Sequence, residues 1–211
     1  MIKAVIFDLD GLLLDSEIVA FKVYEELGRR FNFELTLPEF MQDFCGRPLR
    51  RNVAYCNERF QLSWTLEEAV EEVLRIEKQI LDEGVDVMPG ARELLEFLKE
   101  NNYKTAVASS SARERSMGLL EKHDLVKYFD DFVFGPEVER GKPNPDIFLK
   151  AADKIGIAPE NCLVLEDSQA GIQAGYTAGM YVICIPDLKY PTEEYVEMAC
   201  KHGNEGAEIK I

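Results

Sequence analysis

Three short apolar runs, far apart in the chain, each stop at a cluster of polar residues, and this recurrence constrains the fold more than any other feature. The first is Ala4-Val5-Ile6-Phe7, followed by Asp8-Leu9-Asp10-Gly11. The second, residues 103–108, ends at Ser109-Ser110-Ser111, and the third, residues 162–165, ends at Glu166-Asp167-Ser168. Runs that are apolar throughout, rather than alternating, are expected of strands buried on both faces of a parallel sheet. Such a sheet gathers the groups that follow its strands at one carboxyl edge, the usual place for a site in an α/β domain. A fourth polar element, Gly141-Lys142-Pro143-Asn144-Pro145, sets a lysine in a loop stiffened by two prolines, ahead of a helical stretch at Asp146–Lys154.

Taken singly, each element has an ordinary structural explanation. Asp-x-Asp-Gly occurs wherever a loop starts. Ser109 reads equally as a helix cap, Asp167 or Ser168 as the N-cap of a following helix, and Lys142 as a solvated loop lysine. Alternate residues on a strand face the same side, so Asp8 and Asp10 begin by converging on one spot. It is the coincidence of four strand-end signals that favours a site over loop chemistry.

The alternation of strands and helices is interrupted once. Ala20, Tyr24, Leu27 and Phe31 form one stripe at helical spacing, and Ala69, Val73, Ile76 and Ile80 another. Thr36 with Glu39, and Thr65 with Glu68, each fit a capping box that opens a helix. Val87-Met88-Pro89-Gly90 then leads back into a helix carrying Leu94, Leu95 and Leu98. The expected architecture is a doubly wound, Rossmann-like α/β domain formed by residues 1–14 and 88–211, with an all-helical insertion at 15–87. The polar end from Glu193 is expected to be loosely held in its last residues.

With Asp8-Leu9-Asp10-Gly11, Ser109, Lys142 and Glu166-Asp167 in register, the sequence resembles the haloacid dehalogenase-like superfamily, in its branch with a helical cap that includes β-phosphoglucomutase and sugar-phosphate phosphatases. The similarity extends over nearly the whole chain. It implies that Asp8 is a nucleophile toward phosphorus and that Asp10 is the general acid and base. It also implies a Mg²⁺ ion on the Asp8 carboxylate, the Asp10 backbone carbonyl and the Asp167 carboxylate, with Glu166 close by. Ser109 and the backbone N–H of Ser110 would hold phosphate oxygens, and Lys142 would neutralise the charge that gathers there. Substrate choice would lie in the cap. There the sequence departs from β-phosphoglucomutase: Ala20 replaces a histidine, and Leu49, three positions after the glycine matching Gly46, replaces an arginine. Arg47, Arg50 and Arg51 lie nearby as substitutes or as plain surface charges, and of these Arg47 is the candidate substrate contact.

Composition narrows the partners. A chain of 211 residues that is 46% hydrophobic is long enough for one substantial core and a smaller domain. A net charge of −15 argues against nucleic acid and against an anionic membrane surface, both of which call for basic patches. An anionic substrate must then be met by local positive charge, from a bound cation and from Lys142. Cys45, Cys56, Cys162, Cys184 and Cys200 show no Cys-x-x-Cys spacing, which points to a reducing compartment. A cytoplasmic location is expected, since a strand begins at once and no apolar run approaches spanning length. With two histidines, His123 and His202, neither a histidine zinc cluster nor a serine-histidine triad is supported. The expectation is a monomeric, Mg²⁺-dependent phosphatase acting on a small phosphorylated metabolite, a sugar phosphate or a nucleotide-related phosphate. A phosphomutase is the alternative, and an idle phosphosugar-binding regulator a more remote one.

Overall fold

The structure, a computed structural model, describes residues 1–45 and 47–201; Gly46, His202 and the residues after it lie outside the described residues, as does the expectation for the loosely held end. The chain divides into two compact units, one made of Met1–Leu14 with the described residues from Val87 onward, the other of Asp15–Asp86.

Five strands of the first unit form one parallel sheet: β1 (Ala4–Phe7), β2 (Lys104–Ser109), β3 (Asp131–Phe134), β4 (Cys162–Glu166) and β5 (Tyr181–Cys184), in the order β3-β2-β1-β4-β5. The three expected strands are the three central ones. β1 is buried along its whole length, and its last residue Phe7 pairs with Val107 of β2 and Leu165 of β4. All three central strands therefore run out at the same edge. The sheet edges, β3 and β5, are each four residues long and only partly buried; β3 escaped sequence reading because it opens on Asp131 and offers three apolar residues alone.

One face of the sheet packs against α7 (Asp146–Lys154) and α8 (Gln169–Thr177) through Ile6, Val133, Ile147, Phe148, Val164 and Ile172. Ala106, Ala108, Ala151 and Ala174 in the same cluster let helix and sheet approach closely. Burying a side chain such as Phe148 contributes roughly 1.5–3 kcal/mol, and Phe148 is 0% exposed. The stretch from Glu193 to Lys201 is a helix whose Tyr195, Met198 and Ala199 pack against this core.

The second unit is helical throughout: α1 (Glu17–Phe31), α2 (Leu37–Asp43), α3 (Leu49–Phe60) and α4 (Leu66–Glu83). Both capping boxes form, at Thr36 with Glu39 and at Thr65 with Glu68, each supplying two backbone donors with partners. Tyr24 and Leu27 of the first stripe, and Ala69, Val73 and Ile76 of the second, are buried in one core with Phe40 and Phe44. Phe31 departs from the expected stripe: it is 37% exposed and meets the edge of Trp64 at the unit's surface. Asp15 N–H donates to Asp86 O at 2.9 Å, joining the two ends of the unit.

Candidate active site

The site grows from the end of β1. Asp8 N–H still donates to Leu165 O of β4 at 3.0 Å, so the Asp8 backbone is held as rigidly as the strand it follows. Gly11 then turns the chain at φ +76°, and a Cβ at that position would stand 2.7 Å from Asp167 Oδ2. The backbone angle calls for glycine here, and any side chain would in addition displace the Asp167 carboxylate.

Lys142 reaches the same point from the loop before α7. Its side chain is 5% exposed, which rules out the solvated loop lysine. It donates to Asp8 Oδ1, to Glu166 Oε1 at 2.6 Å and to Ala108 O at 3.0 Å. Burial works against the ammonium charge, but the Asp8 and Glu166 carboxylates outweigh it and hold the Lys142 pKa above its ordinary value. Burial pushes the Asp8 carboxyl up to about 7, with Lys142 opposing the shift and Glu166 and Asp10 adding to it by repulsion. Asp8 and Lys142 thus each shift the other's ionisation, with the Glu166 carboxylate acting on both.

Glu166 ends β4 and is fully buried. Its Oε1 accepts from Lys142, and its Oε2 accepts from the N–H and hydroxyl of Ser168, both at 2.9 Å. The close approach of α8 depends on Gly171, where a Cβ would fall 1.7 Å from Glu166 Oε1. Ser168, rather than Asp167, caps α8 by accepting from Gly171 N–H at 3.1 Å. Asp167 is thereby relieved of the capping role that its position alone would allow.

Asp8, Glu166 and Asp167 offer carboxylate oxygens within 4.8 Å of one another. An all-carboxylate donor set suits a hard divalent cation such as Mg²⁺ rather than a soft metal, so the residues present fit the expected ion. Both Glu166 oxygens also accept hydrogen bonds, so this residue ties Lys142 and the turn into α8 to the same cluster.

Asp10 has different company. Ser111 Oγ donates to its Oδ2 at 2.7 Å, and Arg115 Nη1 donates to its Oδ1 at 2.8 Å. Ser109 is buried at the end of β2, accepts from Ser111 N–H at 3.1 Å and lies 3.5 Å from Asp10 Oδ2. It is not a helix cap, because the N-cap of α6 (Arg113–Lys122) is Ala112. Ser110 is exposed, and its carbonyl backs onto Gly135, where a Cβ would come within 2.2 Å of it. Sequence reading placed Ser111 at a strand end without giving it a role, and it missed Arg115. Ser111 precedes α6 and Arg115 lies in its first turn, so no shared helical face marked the pair in the sequence.

Arg47 belongs to the second unit, where its guanidinium lies 5.7 Å from the Tyr55 ring centre. It lines a pocket of about 200 Å³ inside that unit together with Ala20, Tyr24, Leu49 and Asn52. Arg50 pairs with Glu67 on the exposed surface at 3.4 Å.

Comparison with known proteins places this geometry. Residues 5–185 match the model of the haloacid dehalogenase-like hydrolase family. A phosphorylated carbohydrates phosphatase of Thermotoga maritima is 34% identical over 178 residues, covering 84% of this chain and 82% of its own. A solved structure from the same organism, described as a "putative beta-phosphoglucomutase", superposes with a TM-score of 0.82 at 31% identity, covering 94% of this chain and 92% of that one. A hydrolase of that family from Deinococcus radiodurans, solved with bound phosphate and sodium, gives a TM-score of 0.74 at 30% identity and covers 86% of this chain and 79% of its own. With a family match over most of its length and a relative of this identity across more than four-fifths of both chains, the chain belongs to the haloacid dehalogenase-like hydrolases.

Proposed function

We propose that this chain is a phosphatase for small phosphomonoesters, a sugar phosphate or a nucleotide-related phosphate, working through an aspartyl-phosphate on Asp8. The observation that carries the reading is the pair of carboxylates one residue apart in unlike surroundings. Asp8 lies buried against Lys142, whereas Asp10 is met by Ser111 and Arg115. One is suited to attack, the other to exchange protons with groups that come and go. The relative that acts on phosphorylated carbohydrates, and the one solved with phosphate and a cation, support the same reading.

In this scheme an Asp8 carboxylate oxygen attacks phosphorus in line while the leaving alkoxide takes a proton from Asp10. Water then attacks the acyl phosphate, giving its proton to the now ionised Asp10 and releasing inorganic phosphate and the Asp8 carboxylate. Lys142 offsets negative charge on Asp8 and the transferring group, and the Ser109 hydroxyl with the Ser110 N–H holds phosphate oxygens. A Mg²⁺ ion on Asp8, Asp167 and the Asp10 carbonyl would supply the remaining positive charge when bound.

A phosphomutase would use the same aspartyl-phosphate but must also grip a second phosphate. Ala20 and Leu49 offer no polar group for it within the helical unit, which favours hydrolysis. A panel of phosphomonoesters separates the two. Phosphate should be released with Mg²⁺, lost on chelation, and unaffected by added sugar bisphosphate except through competition. Full activity after exhaustive chelation would sink the mechanism, and isomerisation outpacing phosphate release would make the chain a mutase.

Asp10→Asn should divide the two half-reactions. An aryl phosphate needs no proton on its leaving group, so a first burst of phenol should survive while hydrolysis of the aspartyl-phosphate slows by about 10²–10⁴-fold. Rapid quench and phosphate release on one preparation measure both. Equal loss in both would take the proton-transfer role from Asp10.

A further inference from the structure

Asp10 is held through both carboxylate oxygens, by Ser111 from the polar cluster that ends β2 and by Arg115, which lies outside the recurring strand-end signals. Ser111 takes Oδ2 and Arg115 takes Oδ1, and Arg115 Nη1 is itself 3.3 Å from Ser111 Oγ. The Arg115 and Asp10 side chains are 23% and 27% exposed, so the pair is partly shielded from bulk water. We propose that Arg115 is a positioning residue for Asp10, fixing the carboxylate that exchanges protons at the place where the leaving oxygen must arrive. This rests on the phosphatase reaction proposed above.

The physical need is plain. Asp8 stands two residues away and the substrate brings a phosphate dianion, so both push the Asp10 carboxylate outward toward water. The Arg115 guanidinium counters that push with charge and, by holding Oδ1 while Ser111 holds Oδ2, with direction as well. Arg115 lies in the first turn of α6, and only Ser110, Ser111 and Ala112 separate that helix from Ser109 at the end of β2. The same strand end thus carries the hydroxyl expected to meet a phosphate oxygen and the clamp on Asp10. Asp10 Oδ2, 3.5 Å from Ser109 Oγ, is kept facing the reacting group. Proton transfer tolerates little misplacement, so loss of the clamp should appear in the steps that need Asp10 and not in substrate binding.

Arg115→Met, Arg115→Lys and Ser111→Ala, each in the full chain with Mg²⁺, test the proposal across leaving groups from p-nitrophenol to simple alcohols. Arg115→Met should lower kcat for alkyl phosphates by about 100-fold, leave KM little changed and preserve the initial p-nitrophenol burst. Arg115→Lys should recover part of the loss, and Ser111→Ala should show the same leaving-group pattern at smaller size. Thermal melts identify any variant that fails to fold, in which case the remaining two decide. Equal losses for every leaving group, a raised KM with kcat kept, or wild-type kinetics in the folded variants would overturn the positioning role. A wild-type chain that releases phosphate from no ester would overturn the phosphatase reading and this one with it.

Discussion

Asp8→Asn should abolish phosphate release, by on the order of 10⁴-fold or more, while leaving the chain folded. The amide matches the carboxylate in shape but cannot attack phosphorus or take the charge of an acyl phosphate. The same substitution should also change how the metal-free protein responds to pH. Burial raises Asp8 from 3.8 to about 7, so between those values the folded state holds a proton that the unfolded state has released. The stability Asp8 contributes is therefore complete below about 3.8 and is lost as the pH rises to about 7. Asparagine does not titrate, so the variant should lack that part of the decline. Denaturant melts of both proteins between those pH values, with chelator present, make the comparison. Appreciable turnover in a deamidation-free preparation would remove Asp8 from the nucleophile's role, and identical pH slopes would show that its burial has no such cost.

How much of this was legible beforehand depended on where hydrophobicity and chemistry coincide. The ends of β1, β2 and β4 were readable because central strands are apolar on both faces and stop abruptly at polar residues. α7 was readable between two prolines and an apolar period, and α2 and α4 through capping boxes that are local by nature. The edge strand Asp131–Phe134 was not, since it is short, opens on an aspartate and buries only part of its surface. Side-chain partnerships across the sheet edge were illegible for another reason. Arg115 meets Asp10 across 105 positions, and a singly placed arginine in a helix is ordinarily a surface charge. Glu166 could be placed near a cation, but its hydrogen bonds to Lys142 and Ser168 and the close approach of Gly171 could not be read from the sequence.

Lys142→Met should cost more stability than any other single change at the site. The ammonium is buried between Asp8 and Glu166, and removing one member of a buried charge group leaves the others uncompensated, at about 3–5 kcal/mol. Methionine keeps the length of the stem and its packing over the Phe148 ring, which the ammonium approaches to 4.9 Å. The loss should therefore report charge rather than volume. It should also depend on metal. Without the lysine, the carboxylates of Asp8, Glu166 and Asp167 present more negative potential to a cation, so Mg²⁺ should raise the melting temperature of the variant by more than that of the wild type. Turnover should stay low even at saturating Mg²⁺, because the second positive charge facing the phosphoryl group is gone, a deficit of roughly 10²–10³-fold in kcat. Melts with chelator and with Mg²⁺, read beside kcat, separate these effects. A variant as stable as wild type in chelator, or an equal Mg²⁺ shift in both proteins, would mean that Lys142 does not balance the carboxylates. An intact kcat would mean that the buried ammonium serves the fold alone.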